Sequence, residues 1–364
     1  MFRIGYIHNL RTDLVFFLLL PFWAIGFSLF AHNYLGAFAL LSISVWITFP
    51  HHAATFVRTF GLKEDMAQYK ERLIVGPIVI VGLAYLGMTW APITYLALTQ
   101  LWAYQHSIMQ QHGFARIYDF KARTGMATTG KWDLGLNWVL FVNLIITAPL
   151  FVQFWVRELH MYDWRITAAQ VTTVQMVSYA LTGLYLLLYA VHQFKIVRSG
   201  NALNPLKYCF LGASYFLWYF LAWQIDNVFV FGIADRIMHG VQYIVIVYLY
   251  MDRKAQDAET EETYIKKFLS FGHVSAYLGL LLVYTLIYQL VRNEPYEQFG
   301  FGLNFLVFME PYMQAIPEAG LGELSETNAM SFVFFMFVET IALIHYYYDS
   351  FIWKVSNKKT QKGL

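Results

Sequence analysis

Ten long apolar segments separated by more polar connections constrain the fold of this chain more than any other feature. A helix needs about 20 largely apolar residues to cross the hydrocarbon core of a bilayer. The segments cover, to within a few residues, 14–31, 35–56, 73–90, 93–113, 136–156, 171–194, 206–223, 228–250, 274–291 and 330–353. They predict an all-α polytopic membrane bundle of about ten transmembrane helices, forming a single transmembrane domain over residues 1–364.

Composition supports this fold class. Of the 364 residues, 58% are hydrophobic and only 13% are charged, whereas soluble proteins carry charge on roughly a quarter of their residues. The aromatic share of 19% is typical of chains with Tyr and Trp belts at both membrane interfaces. Since Cys209 is the single cysteine, a disulfide within one chain is excluded, and any metal site would use nitrogen and oxygen ligands.

The basic residues predict the orientation of the bundle. Nearly all of the 25 Lys and Arg fall in connections on the side that holds the N-terminus. The exceptions are Arg157, Arg165, Arg236 and Arg292. By the positive-inside rule, both termini are expected to be cytoplasmic, and we expect a bacterial inner (cytoplasmic) membrane.

Two connections are long. The stretch 252–268 is a mixed-charge run and is predicted to be a solvated cytoplasmic loop. The stretch 293–328 is predicted to be an extracytoplasmic loop. Its apolar middle, 301–309, is too short to span, so an interfacial or re-entrant helix is expected there.

Histidines recur on segments that run in the same direction. The even-numbered segments carry them in their second halves or at the edge of those halves, and therefore near one leaflet. These seven of the eleven histidines are His51, His52, His106, His112, His192, His239 and His345. Buried imidazoles need polar partners in a bilayer, so such a cluster is a functional-site hypothesis. Converging neutral imidazoles suit iron, copper or zinc, or the axial positions of a haem. Taken singly, each histidine also fits an interhelical hydrogen bond or an interfacial anchor.

Helical spacing predicts which polar residues support these histidines. The candidates are Asp235, Asp349, Gln110 and Glu339. The two aspartates lie four residues from His239 and His345, the spacing at which a carboxylate can orient an imidazole; pairing with Arg236 is the alternative for Asp235. Gln110 shares the face of His106 in the same way. Glu339, six residues before His345, is on another face and fits a ligand, a proton relay or a helix–helix hydrogen bond. His51 and His52 diverge by about 100°, so at most one is expected to face a shared centre.

The stretch "QQHGFARIYDFKARTG" ends the fourth segment at the predicted cytoplasmic face. Arg116, Tyr118 and Lys121 are candidates for contact with a lipid head group or a carboxylate substrate. The alternative is ordinary basic charge at the cytoplasmic end of a span.

Motifs narrow the functional classes. The chain has no Walker-type phosphate loop, no HExxH and no paired histidine boxes of the membrane desaturases. The stretches "FPHHA" and "YQHSIMQQH" resemble the bacterial membrane-embedded carotene 15,15'-dioxygenases, a family of histidine-rich membrane iron oxygenases. That resemblance implies a non-haem iron oxygenase acting on an apolar polyene, with His51 or His52 and His106 as ligands.

Our first functional hypothesis is a membrane-embedded, histidine-ligated metalloenzyme, an iron-dependent oxygenase acting on a lipid or isoprenoid substrate. The expected partners are the membrane and the lipid or isoprenoid substrate, an electron donor is a possible further partner, and no nucleic acid is expected. The alternatives are a haem-binding or electron-transfer membrane protein, a proton-coupled transporter, and a structural or assembly protein. The sequence shows no matched pair of interrupted helices and no internal repeat, which speaks against a transporter.

Overall fold

The computed structural model describes residues 2–35, 37–257, 274–292 and 340–364. In these ranges the regular structure is helical, and an isolated bridge between Phe2 and Leu203 is the only β pairing. The predicted loop 293–328, residues 258–268 of the predicted charged loop, and Glu339 lie outside the described residues.

The described helices overlap the predicted segments, with two breaks described below, although α4 begins ten residues before segment 73–90 and α5 ends nine residues after segment 93–113. Their bounds are α1 Leu10–Asp13, α2 Leu20–Tyr34, α3 Ala37–Phe60, α4 Lys63–Trp90, α5 Pro92–Ala122, α6 Ala127–Thr147, α7 Pro149–Met161, α8 Ala168–Arg198, α9 Pro205–Phe220, α10 Val228–Gln256, α11 Val274–Arg292, α12 at 340–352 and α13 Lys358–Gly363. Two π-helical segments, Leu14–Leu18 and Leu221–Ile225, follow α1 and α9.

Among the described residues, three helices are long and apolar enough to cross a membrane, namely α4, α8 and α10. The number rises to five if each of two bent helix pairs counts as one span. Ten spans and the cytoplasmic placement of the termini remain predictions. Only 11% of the apolar window of α8 is buried inside the protein, against 72% for α10; α8 therefore offers most of its apolar surface to the surroundings, whereas α10 is an interior helix.

Two of the predicted segments are bent. Segment 14–31 bends by 41° between the π-segment Leu14–Leu18 and α2, and segment 136–156 bends by 71° between α6 and α7. The second break has a local cause, because Ala148 is extended (ψ 133°) and precedes Pro149, and proline disfavours the helical conformation in the residue before it. Interrupted helices are thus present among the described residues. The predicted absence of a matched pair in two repeats is not tested by these two bends.

The described chain divides into two compact units. Unit 1 comprises Met1–Phe30 and Gln105–His239, and unit 2 comprises Ala31–Tyr104 and Gly240–Leu364.

Unit 1 is organised around α6, which packs along α8. Asn143 donates to Ser178 at 3.0 Å, and the hydroxyl of Tyr189 donates to Asp133 at 2.7 Å. At the start of α9, the buried Lys207 ammonium lies 3.1 Å from the carboxylates of both Asp119 and Asp133. A fully desolvated cation of this kind requires such counter-charges.

In unit 2, α3 packs against α11 through a cluster that contains Val45, Phe49 and Tyr288. A second apolar cluster joins Leu73 of α4 to Tyr348 and Phe351 of α12. These two contacts hold α3 and α12 in place, and both helices carry histidines.

Candidate metal centre

Helix α3 carries His51 and His52 directly after Pro50, and both imidazoles are buried, with exposed fractions of 4% and 3%. Their ring centroids are 4.5 Å apart at an interplanar angle of 62°. Proline inside a helix is tolerated in membrane segments because neighbouring groups satisfy the freed backbone.

Helix α12 brings a third imidazole to the same place in unit 2. His345 is fully buried, and its ring centroid lies 4.6 Å from that of His51 and 4.8 Å from that of His52. A ring nitrogen of His51 and one of His345 lie within 4.8 Å of each other. The three imidazoles therefore form a compact cluster, in which His51 and His345 have the donor spacing of a candidate metal site.

A hydrogen-bonded network borders this histidine cluster. Thr55 Oγ1 lies 2.5 Å from His345 Nδ1 and 2.8 Å from the Tyr243 hydroxyl. That hydroxyl donates to Asp349 Oδ1 at 2.5 Å and accepts from Trp353 Nε1 at 3.1 Å. The second carboxylate oxygen of Asp349 is 3.6 Å from His345 Nδ1, which agrees with the orienting role predicted from the four-residue spacing.

Helix α10 packs closely against α3 at Gly240, next to His51. A Cβ at Gly240 would meet the side chain of Ile47 at 3.0 Å, the carbonyl oxygen of Ile47 at 3.4 Å and the Cβ of His51 at 3.7 Å. The absence of a side chain at residue 240 is what lets the two backbones approach so closely beside His51.

Unit 1 contains a separate pair of imidazoles. His106 of α5 and His239 of α10 are both buried, and their ring centroids are 5.0 Å apart at 78°. Gln110, predicted to share the face of His106, donates its amide to the backbone carbonyl of His239 at 3.0 Å. The carboxylate of Asp235 accepts from Trp218 Nε1 at 2.7 Å and from Ser107 Oγ at 3.2 Å. Its position is thus fixed by two donors that the sequence analysis did not single out.

His112 and His192 lie in a different environment of unit 1. The ring of His192 stacks on Trp132, with centroids 5.0 Å apart at 18°. Both imidazoles interact electrostatically with the charges of Asp133 and Lys207. Within the described ranges, His52, His112 and His192 belong to no group of three or more potential ligands whose donor atoms lie within 4.8 Å. Metal ligation by these three remains a prediction without geometric support.

The residues predicted to contact head groups take part in internal contacts. Arg116 pairs with Asp119 at 2.7 Å and lies 3.6 Å from Asp133. Tyr118 is fully buried, and its carbonyl accepts from the side chain of Asn204. Lys121 is partly buried near the end of α5.

Thr55 and Tyr243 were missed by the sequence reasoning. Thr55 lies four residues after His51 on the same helical face, a spacing that could have identified it. Tyr243 lies four residues after the candidate His239 on α10, so the same spacing could have identified it. Its contact with Asp349, however, depends on how α10 and α12 pack.

Comparison of the chain with protein-family models, curated proteins and solved structures gave no match. The resemblance to carotene dioxygenases thus depends on the two short stretches that carry it and stays a prediction.

Proposed function

We propose that this chain is an integral membrane metalloprotein in which His51 and His345 hold a first-row transition metal ion within the bundle. The spacing and burial of these two imidazoles in unit 2 carry the proposal. An ion with metal–nitrogen bonds of about 2.0–2.1 Å can join nitrogens up to roughly 4 Å apart, so small ring rotations are enough to bring both nitrogens onto one ion.

The available ligands are imidazole nitrogens, which favour iron over metals that prefer thiolate ligands. Imidazole suits iron, copper and zinc. Asp349 lies on the Nδ1 side of His345 and orients that imidazole, so its carboxylate belongs to the site without binding the ion. The activity we propose is iron-dependent oxygenation of a lipid or isoprenoid that enters from the membrane, with electrons from a separate donor. A ten-span bundle in a bacterial inner membrane, with both termini cytoplasmic, is part of this proposal.

A non-haem site fits the ring distances better than a haem. Two axial imidazoles on one iron place their ring centroids about 6 Å apart, given metal–nitrogen bonds of ~2 Å. The centroids are 4.6 Å apart for His51 and His345 and 5.0 Å for His106 and His239. Neither pair leaves room for an iron coordinated on opposite faces of a porphyrin.

Proton-coupled transport is the second candidate function. The breaks of 41° and 71° in two bent helix pairs favour it, since transporters build ion sites from interrupted helices. In that reading the histidines and Asp349 would relay protons.

Metal analysis of the protein purified in detergent tests the proposal. We expect stoichiometric iron without a Soret band, and loss of most of that iron in His51→Ala and His345→Ala. His160→Ala, which alters an exposed histidine at the end of α7, is the matched control and should keep its iron. Absence of bound metal from the wild-type protein after iron supplementation would contradict the proposal and favour the transporter.

A further inference from the structure

The ring nitrogens of His345 have different surroundings. Nδ1 is 2.5 Å from Thr55 Oγ1 and 3.6 Å from Asp349 Oδ2. A carboxylate near one ring nitrogen favours the tautomer with the proton on that nitrogen, because the N–H dipole then points at the negative charge. The geometry therefore favours a proton on Nδ1.

The network around Thr55 can satisfy this tautomer completely. Tyr243 gives its hydroxyl proton to Asp349, and its oxygen accepts from Trp353. The hydroxyl proton of Thr55 goes to the oxygen of Tyr243 at 2.8 Å or to Asp349 at 3.1 Å. The Thr55 oxygen is then available to accept the Nδ1 proton of His345. Thr55 and His345 are fully buried, and Tyr243 is 2% exposed, so water does not compete for these bonds.

From this arrangement we infer that His345 binds metal through Nε2, and that Thr55 is a positioning residue which fixes the tautomer and ring orientation of His345. The inference rests on the proposed metal site. It names the ligand atom and assigns a role to a residue that does not itself touch the metal. Partners that accept the second ring N–H of a metal-bound histidine typically contribute 10–100-fold to metal affinity.

Thr55→Val removes the hydroxyl with little change of shape, and Thr55→Ser restores it. With Cu(II) as the probe metal and a chromophoric chelator as competitor, we expect Thr55→Val to weaken binding about 10–100-fold. Thr55→Ser should bind close to the wild-type affinity. Thr59→Val is the control: Thr59 is equally buried one turn further along α3, and its hydroxyl has no hydrogen-bond partner among the described residues.

Spin-echo spectroscopy of the Cu(II)-loaded protein adds a second measurement, whose result would not change if Thr55 had only a structural role. This method detects the imidazole nitrogen that does not touch copper, and its quadrupole coupling depends on the hydrogen bond made there. We expect that coupling to change in Thr55→Val and to return in Thr55→Ser.

The outcomes separate the two proposals. A wild-type protein that binds neither iron nor copper overturns both the metal site and this inference. Metal binding with equal affinities and equal couplings in the wild type, Thr55→Val and Thr59→Val overturns only the inference about Thr55. Equal losses of copper affinity in Thr55→Val and Thr59→Val also overturn it, since they would reflect a change in the packing of α3 and not the loss of one hydrogen bond.

Discussion

Arg58 illustrates how a single charged residue is accommodated in an apolar bundle. Its guanidinium is fully buried, pairs with Asp65 and donates to the carbonyl of Ile352 at 3.2 Å. It also lies 4.0 Å from the centroid of the Tyr250 ring and 5.2 Å from that of Trp353. Hydrogen bonds, an ion pair and aromatic faces together replace the lost hydration.

Replacement of Arg58 by methionine should destabilise the protein strongly. The change leaves Asp65 buried without its counter-charge, a defect that typically costs about 3–5 kcal/mol. Thermal denaturation in detergent should show a lower Tm for Arg58→Met, with partial recovery when Asp65→Leu is added.

Lys254→Met provides the comparison for this experiment, because its partner Glu64 is partly exposed and remains hydrated. We expect a smaller drop in Tm. Equal drops for the two single variants would contradict the argument from burial.

Sequence reasoning was most informative at the residue scale where spacing alone sets proximity. The four-residue separation of His345 and Asp349 correctly placed a carboxylate beside an imidazole. The same spacing for Asp235 and His239 did not predict the donors that hold Asp235, because Trp218 belongs to a different helix. Contacts between helices depend on packing that helical periodicity does not encode.

At the scale of whole elements, one buried lysine links three helices of unit 1. Lys207 at the start of α9 contacts Asp119 of α5 and Asp133 of α6, each at 3.1 Å. Asp133 also accepts from Tyr189 of α8. Four helices are therefore joined by one network of ion pairs and a hydrogen bond.

Lys207→Met should loosen the helix ends in this network. Among the described residues, Arg116 would then be the one cation paired with the two buried carboxylates, and we expect a destabilisation of about 3–5 kcal/mol. The measurement is hydrogen exchange at the ends of α5, α6 and α9, with faster exchange expected there. Lys195→Met on the exposed face of α8 is the control, and equal exchange in the two variants would refute the proposed linkage.

The positions of the helices were predictable from hydropathy, whereas their breaks were not. The turn between α4 and α5 at Trp90–Pro92 was predicted and is confirmed. The sequence of segment 136–156 predicts one continuous helix, since apolar residues continue through the break. The proline was visible, but a proline in a membrane helix is compatible with both a kink and a sharp bend.

At the scale of the molecule, each compact unit has its own pair of buried imidazoles, His51 with His345 in unit 2 and His106 with His239 in unit 1. The prediction that seven histidines share one depth did not distinguish these pairs from His112 and His192. The depth of a histidine in the membrane follows from the predicted topology, whereas its neighbours depend on the face of the helix on which it lies.

Membrane crossing by the bent pair α6 and α7 is testable by labelling from either side. In a Cys209→Ser background, we expect a cysteine at Lys131 to react only after the membrane is permeabilised. A cysteine at Arg165 should react in intact cells. Both positions are exposed, and they flank the pair. Reaction of both from the same side would show that α6 and α7 form a re-entrant loop and would contradict the positive-inside assignment of this region.

The missing side chain at Gly240 limits how the neighbourhood of His51 can vary. With Ile47 Cγ2 3.0 Å and the Ile47 carbonyl oxygen 3.4 Å from the place where a Cβ would stand, a methyl group demands a shift of a few tenths of an ångström, first of the Ile47 side chain. A β-branched residue demands more than the backbone of α3 can yield without moving the imidazole itself. Gly240 therefore controls the distance between α10 and α3 at His51. Replacing it first by Ala and then by Val would push α3 away in steps and widen the histidine cluster, without altering any polar group.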